Sequence, residues 1–112
     1  MLTLESLRAY GANVDEGMTR CLKNEAFYLM LVGKGLEDPN FDRLQRAMAA
    51  NDGEEAFEAA HALKGSIGNL ALTPIFEPVC QLSDALKASR KTEGMETLYR
   101  RVMEQLERAR QL

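Results

Sequence analysis

Helix-breaking residues divide this chain into helix-length segments, and that spacing constrains its fold more than any other sequence feature. Within several segments, apolar residues recur at three- and four-residue steps, which is the period of an amphipathic helix. No Asn-Gly or Asp-Gly pair is flanked by the alternating pattern of two strands. Because amphipathic helices joined by short turns pack as antiparallel bundles, the sequence predicts an all-α fold and a single domain over residues 1–112.

Capping residues and prolines predict where the helices begin and end. Predicted helices span about residues 2–10, 13–22, 24–36 and 93–111, and three more start at Asp38-Pro39, Asp52 and Thr73-Pro74. The apolar run 26–32 taken alone also suits a buried strand, although its helical surroundings favour a helix. Pro78 lacks the amide that bonds one turn back, so we expect either a kink or a later helix start there.

Composition and charge exclude several classes of function. With 14 basic and 17 acidic residues, the net charge is −3, so the chain lacks the basic surface typical of nucleic-acid binding. No apolar run approaches the ~20 residues of a membrane span, and the first residues lack a secretory signal pattern. Cys21 and Cys80 have no paired spacing and are expected as free, buried thiols. We therefore expect a cytoplasmic protein without nucleic-acid or membrane partners.

The strongest functional indication is His61, the only histidine of the chain. The helical period places it well away from the centre of its helix's apolar face, and therefore toward solvent. That face comprises Ala56, Ala60, Leu63, Ile67 and Leu70. Gly65 and Gly68 share the outer sector with His61, although each glycine costs a helix about 1 kcal/mol relative to alanine. Bare backbone beside an imidazole predicts access for a convex partner, and Lys64 lies one turn after the histidine.

Each of these residues also has an ordinary structural interpretation. A lone histidine is most often a surface or core residue, and a lone lysine is most often a solvated charge. The two glycines also suit close packing between helices. The combination at helical spacing, more than any member alone, favours a functional site.

The chemistry open to this site is narrow. One histidine and two separated cysteines do not form a tetrahedral zinc site without carboxylates. Ser66 has neither an oxyanion hole nor a third orienting group beside it, and a phosphate-binding P-loop is absent. A neutral imidazole is nucleophilic near pH 7, so a phosphoryl group activated elsewhere fits. We predict phosphoryl acceptance by His61, charge compensation by Lys64, and no metal or cofactor bound by this chain.

The run 60–70, followed by Leu72, resembles histidine-containing phosphotransfer (HPt) domains, in which histidine, lysine and glycine recur at this spacing. The similarity extends more loosely over nearly the whole chain. It implies an antiparallel four-helix bundle with additional short N-terminal helices. It also implies a monomeric phosphoryl carrier, without ATP-dependent kinase activity of its own, that works with response-regulator receiver domains or a hybrid sensor kinase.

The resemblance implies a role for individual residues. His61 would accept a phosphoryl group reversibly from a receiver aspartate, Lys64 would be its electrostatic partner, and Gly65 would admit the receiver, which supplies Mg²⁺. The next helix of the family often adds a polar side chain near the histidine, for which the candidates are Gln81, Ser83, Asp84 and Lys87. Ala71 departs from the glycine common in the family, a change we expect to be tolerated.

Two other functions compete with the phosphoryl carrier. A non-phosphorylated helical adaptor would keep the bundle and bind a response regulator or sensor kinase. A dimerising kinase bundle would also carry a phosphorylated histidine, but these 112 residues include no ATP-binding domain after it.

Overall fold

The computed structural model describes residues 1–112 and contains seven α-helices and no strand, so the all-α prediction is confirmed. The helices are α1 (Leu4–Tyr10), α2 (Val14–Arg20), α3 (Glu25–Leu36), α4 (Pro39–Ala49), α5 (Gly53–Asn69), α6 (Thr73–Ser89) and α7 (Glu96–Arg110). The last four form the bundle, in which α5 packs between α4 and α6, and α6 packs against α7. No helix is both long enough and apolar enough to cross a lipid bilayer.

Side-chain caps define the starts of three helices as the sequence predicts. Asn24, Asp38 and Asp52 each accept a hydrogen bond from a first-turn backbone N–H, at 3.0, 2.8 and 3.1 Å. The predicted cap at Thr73 is wrong, because helical geometry already begins there and the cap position is Leu72, which makes no side-chain bond. Side-chain capping therefore accompanies the starts of α3, α4 and α5, whereas α6 starts without a side-chain cap.

The sixth helix passes through Pro78 without interruption, so the predicted later start is wrong. The amide that Pro78 lacks would have bonded to the carbonyl of Pro74, which lies in the first turn of the helix. Pro78 is buried, and the fully buried Val79 and Leu82 follow it on the inner side of α6. Burial of this apolar face offsets the one missing hydrogen bond.

The last helix is shorter than predicted at its N-terminus. It begins at Glu96 instead of residue 93, and Met95 occupies its cap position. Gly94 precedes it with a φ of +83°, in the left-handed region that favours glycine. The helical period does not reveal this turn, because the turn leaves the spacing of the apolar residues that follow unchanged.

The N-terminal helices share one hydrophobic core with the bundle and hold its α5–α6 turn. The fully buried Tyr28 of α3 donates a hydrogen bond of 2.9 Å to the carbonyl of Leu70. The backbone N–H of Asn13 donates to the carbonyl of Ala71 at 2.9 Å. The Arg20 guanidinium donates to another carbonyl at the end of α5. These bonds fix α2 and α3 beside the end of α5 that carries the glycines.

Candidate functional site

His61 is exposed on the outer side of α5, as the helical period predicts. The opposite side of α5 faces the core, and its predicted members are all buried, namely Ala56, Ala60, Leu63, Ile67 and Leu70. Because that apolar face fixes the rotation of α5, the imidazole is presented to solvent by the packing of the bundle.

An aromatic side chain lies against the histidine. Phe57, one turn earlier on α5, stacks on the His61 ring with centroids 5.6 Å apart and an interplanar angle of 25°. The guanidinium of Arg90, from the end of α6, lies 4.4 Å from the centroid of the same phenyl ring. Sequence reasoning missed both residues. The four-residue spacing to Phe57 was visible in the sequence, whereas the approach of Arg90 depends on tertiary structure.

Lys64 lies one turn after His61, and its ammonium group is only weakly engaged. Its nearest acidic partner is Asp84 of α6, at 4.0 Å, and their side chains are 42% and 74% exposed. Exposed ion pairs of this kind contribute little because water screens them. Burial raises the pKa of the neighbouring Cys80 thiol, and the charge of Lys64 opposes that effect. Lys64 therefore adds positive charge beside the imidazole without being fixed in a strong ion pair.

His61 and Lys64 line an open cleft of about 660 Å³ between α2, α5 and α6. Its walls carry charges of both signs, because Arg20 and Lys64 face it together with the carboxylates of Glu16 and Glu77. Arg20 and Glu16 belong to α2 and were not among the sequence candidates. They reach the cleft because the N-terminal helices pack against the end of α5, and no local sequence pattern predicts that packing.

The two glycines after His61 have different surroundings. A Cβ atom on Gly65 would meet nothing within 4 Å, so the space over this residue is open. A Cβ atom on Gly68 would lie 2.8 Å from the ring of Phe76 in α6. Gly68 therefore has a packing function inside the chain, whereas no contact within the chain requires glycine at position 65.

The candidate polar residues of α6 do not gather around the imidazole. Gln81 lies beside Arg101 on the side of α6 that faces α7, away from the cleft. Ser83 is buried, and Lys87 is exposed and does not line the cleft. Asp84 is the one candidate with a contact at the site, through Lys64. The structure also contains no cluster of three His, Cys, Asp or Glu side chains that could hold a metal ion.

The family model of the Hpt domain matches residues 38–112, which include the whole of α4 to α7. The chain belongs to the Hpt domain family. Hpt domains are phosphotransfer modules of two-component systems that interact with receiver domains and kinases, and they are phosphocarriers rather than kinases. No curated protein and no solved structure matches the chain. Helices α1 to α3 lie before the matched region and pack against the bundle that the family model matches.

Proposed function

We propose that this Hpt domain is a phosphorelay carrier that bears the phosphoryl group on His61. It accepts the group from the aspartyl phosphate of one receiver domain and passes it reversibly to another. The observation that carries the proposal is the exposed imidazole of His61, beside Lys64 and the open space over Gly65. No other side chain of the chain combines nucleophilic character near neutral pH with comparable access.

The transfer step needs little from the carrier beyond position and charge. A neutral ring nitrogen of His61 attacks phosphorus in line, so a nitrogen–phosphorus bond forms while the bond to the aspartyl oxygen breaks. The receiver retains the aspartate, and we propose that it also supplies the Mg²⁺ that stabilises the transferring group. Lys64 compensates the charge that arrives on the imidazole, since its ammonium group is free to turn from Asp84. Positioning and charge compensation are the general sources of catalysis in phosphoryl transfer.

The open space over Gly65 supports docking of a folded partner. A receiver brings its aspartate to the imidazole only if its own surface approaches α5 closely. Gly65→Arg fills that space with a long side chain that meets no atom of this chain near its Cβ. We expect this variant to fold normally and to bind a receiver at least about tenfold more weakly, a loss of about 1.4 kcal/mol in binding.

The deciding experiment is transfer from phosphorylated receivers, with Mg²⁺, to the wild type, His61→Gln and Lys64→Ala. Acid-labile label is expected on the wild type, none on His61→Gln, and label that appears more slowly on Lys64→Ala. Circular dichroism of the three proteins controls for folding. Label that persists on His61→Gln removes the assignment of the residue. Receivers that bind without transferring label to the wild type would indicate the adaptor instead.

A further inference from the structure

Two other side chains lie against the phenyl ring of Phe57. It stacks with the imidazole of His61 at 5.6 Å and 25°. The guanidinium of Arg90 lies over it at 4.4 Å. Arg90 also forms an ion pair of 3.2 Å with Glu54, one turn before Phe57 on α5. We call Phe57, Arg90 and Glu54 the stacking platform.

The platform is fixed to the bundle at both of its ends. Phe57 is partly buried and packs against the hydrophobic core, so its ring has little freedom. Arg90 ends α6 in a left-handed conformation, with a φ of 58°. Its backbone lies so close to Gly53, at the start of α5, that a side chain there would collide with it. The platform therefore joins the end of α6 to the beginning of α5 beside the histidine.

A solvent-exposed imidazole without such a neighbour exchanges among several rotamers. Only some of these direct a ring nitrogen toward an incoming phosphorus atom in line. Aromatic pairs attract one another when their centroids are 4.5–7 Å apart, and the 5.6 Å separation here lies inside that range. Stacking on a fixed phenyl ring therefore favours one imidazole orientation before the partner arrives.

We propose that Phe57, braced by Arg90, is a positioning residue that orients the His61 imidazole for phosphoryl transfer. The inference rests on the proposed function and adds a residue that lies outside the motif run 60–70. Phe57 does not touch the phosphoryl group. It orders the imidazole before the receiver docks. Less conformational entropy of the His61 side chain is then lost on reaching the in-line geometry, so the activation free energy of transfer is lower.

The kinetic test separates positioning from docking. In single-turnover transfer from a phosphorylated receiver, Phe57→Leu is expected to lower the rate constant at saturating receiver by about three- to tenfold. The receiver concentration that gives half-maximal rate should stay unchanged. Phe57→Tyr should restore the rate because it keeps a stacking ring, and Arg90→Gln should lower it about twofold. Phe27→Leu, which changes an exposed phenylalanine of α3, is the matched control and should have no effect.

A second measurement does not require phosphorylation. Three-bond coupling constants of the His61 side chain report its rotamer populations in the free protein by nuclear magnetic resonance. We expect one dominant rotamer in the wild type and in Phe57→Tyr, and averaging in Phe57→Leu. Equal populations in the wild type and Phe57→Leu, or an unchanged saturating rate, would overturn the positioning role. Absence of transfer to the wild type would contradict the proposed function, while the rotamer result would still decide whether Phe57 orients the ring.

Discussion

Gly65 and Gly68 occupy the same outer sector of α5, yet they differ in what surrounds them. Their spacing alone predicts the same role for both glycines, namely access for a partner. The structure gives Gly68 a contact of its own, since Phe76 fills the space where its Cβ would lie. The helical period predicts on which side of α5 a residue lies. It does not predict which residue of another helix packs against that side.

This difference predicts opposite effects of alanine at the two positions. Gly65→Ala adds a side chain in open space, so the free energy of unfolding should rise by up to about 1 kcal/mol through helix propensity. Gly68→Ala gains the same propensity but forces the Phe76 ring aside, and overpacking of this kind costs about 1–3 kcal/mol. We expect Gly68→Ala to be destabilised by about 1 kcal/mol on balance. Urea unfolding of both variants measures the difference, and equal stabilities would contradict the contact with Phe76.

The helices were predictable where residues close in sequence determine their ends and faces. The caps at Asn24, Asp38 and Asp52, and the two faces of α5, follow from residues within one or two turns. The cleft was not predictable, because the Arg20 bond to Gly68 joins positions 48 residues apart. The turn after α5 shows the same limit. Ala71 adopts a φ of 58° there, which disfavours residues with a Cβ, and only the family resemblance marked this position as one where glycine is common.

The attachment of α3 to the α5–α6 turn depends on the Tyr28 hydroxyl. Its bond to the Leu70 carbonyl is buried, so removal of the hydroxyl leaves that carbonyl without its phenolic partner. We expect Tyr28→Phe to lower the free energy of unfolding by about 1–3 kcal/mol. Tyr99→Phe is the matched control, because the Tyr99 hydroxyl donates no hydrogen bond within the chain and its loss should change stability by less than about 0.5 kcal/mol. Equal urea midpoints for the two variants would show that the bond does not anchor α3.

At the scale of the whole molecule, two phenols tie the N-terminal helices to the bundle and must stay protonated to do so. The Tyr10 hydroxyl of α1 donates to the Gln105 carbonyl of α7 at 2.8 Å, and Tyr28 makes the bond from α3. Burial raises the pKa of Tyr10 from 10.0 to about 12, against the opposing charge of Arg108. Burial also raises the pKa of Tyr28 above its ordinary value. Both ends of the N-terminal segment therefore depend on neutral tyrosines.

These raised pKa values predict that the fold weakens in alkali. Above pH 10 the unfolded chain releases the Tyr10 proton while the folded chain retains it up to about pH 12. The unfolded state then binds fewer protons, so the free energy of unfolding falls as pH rises through this window. Urea unfolding from neutral pH to about pH 12 should show this decline, with a shallower slope in Tyr10→Phe because one of the linked protons is gone. If the two slopes are the same, the Tyr10 phenol does not contribute to the alkaline loss of stability, and its hydrogen bond to Gln105 does not link the fold to pH in this range.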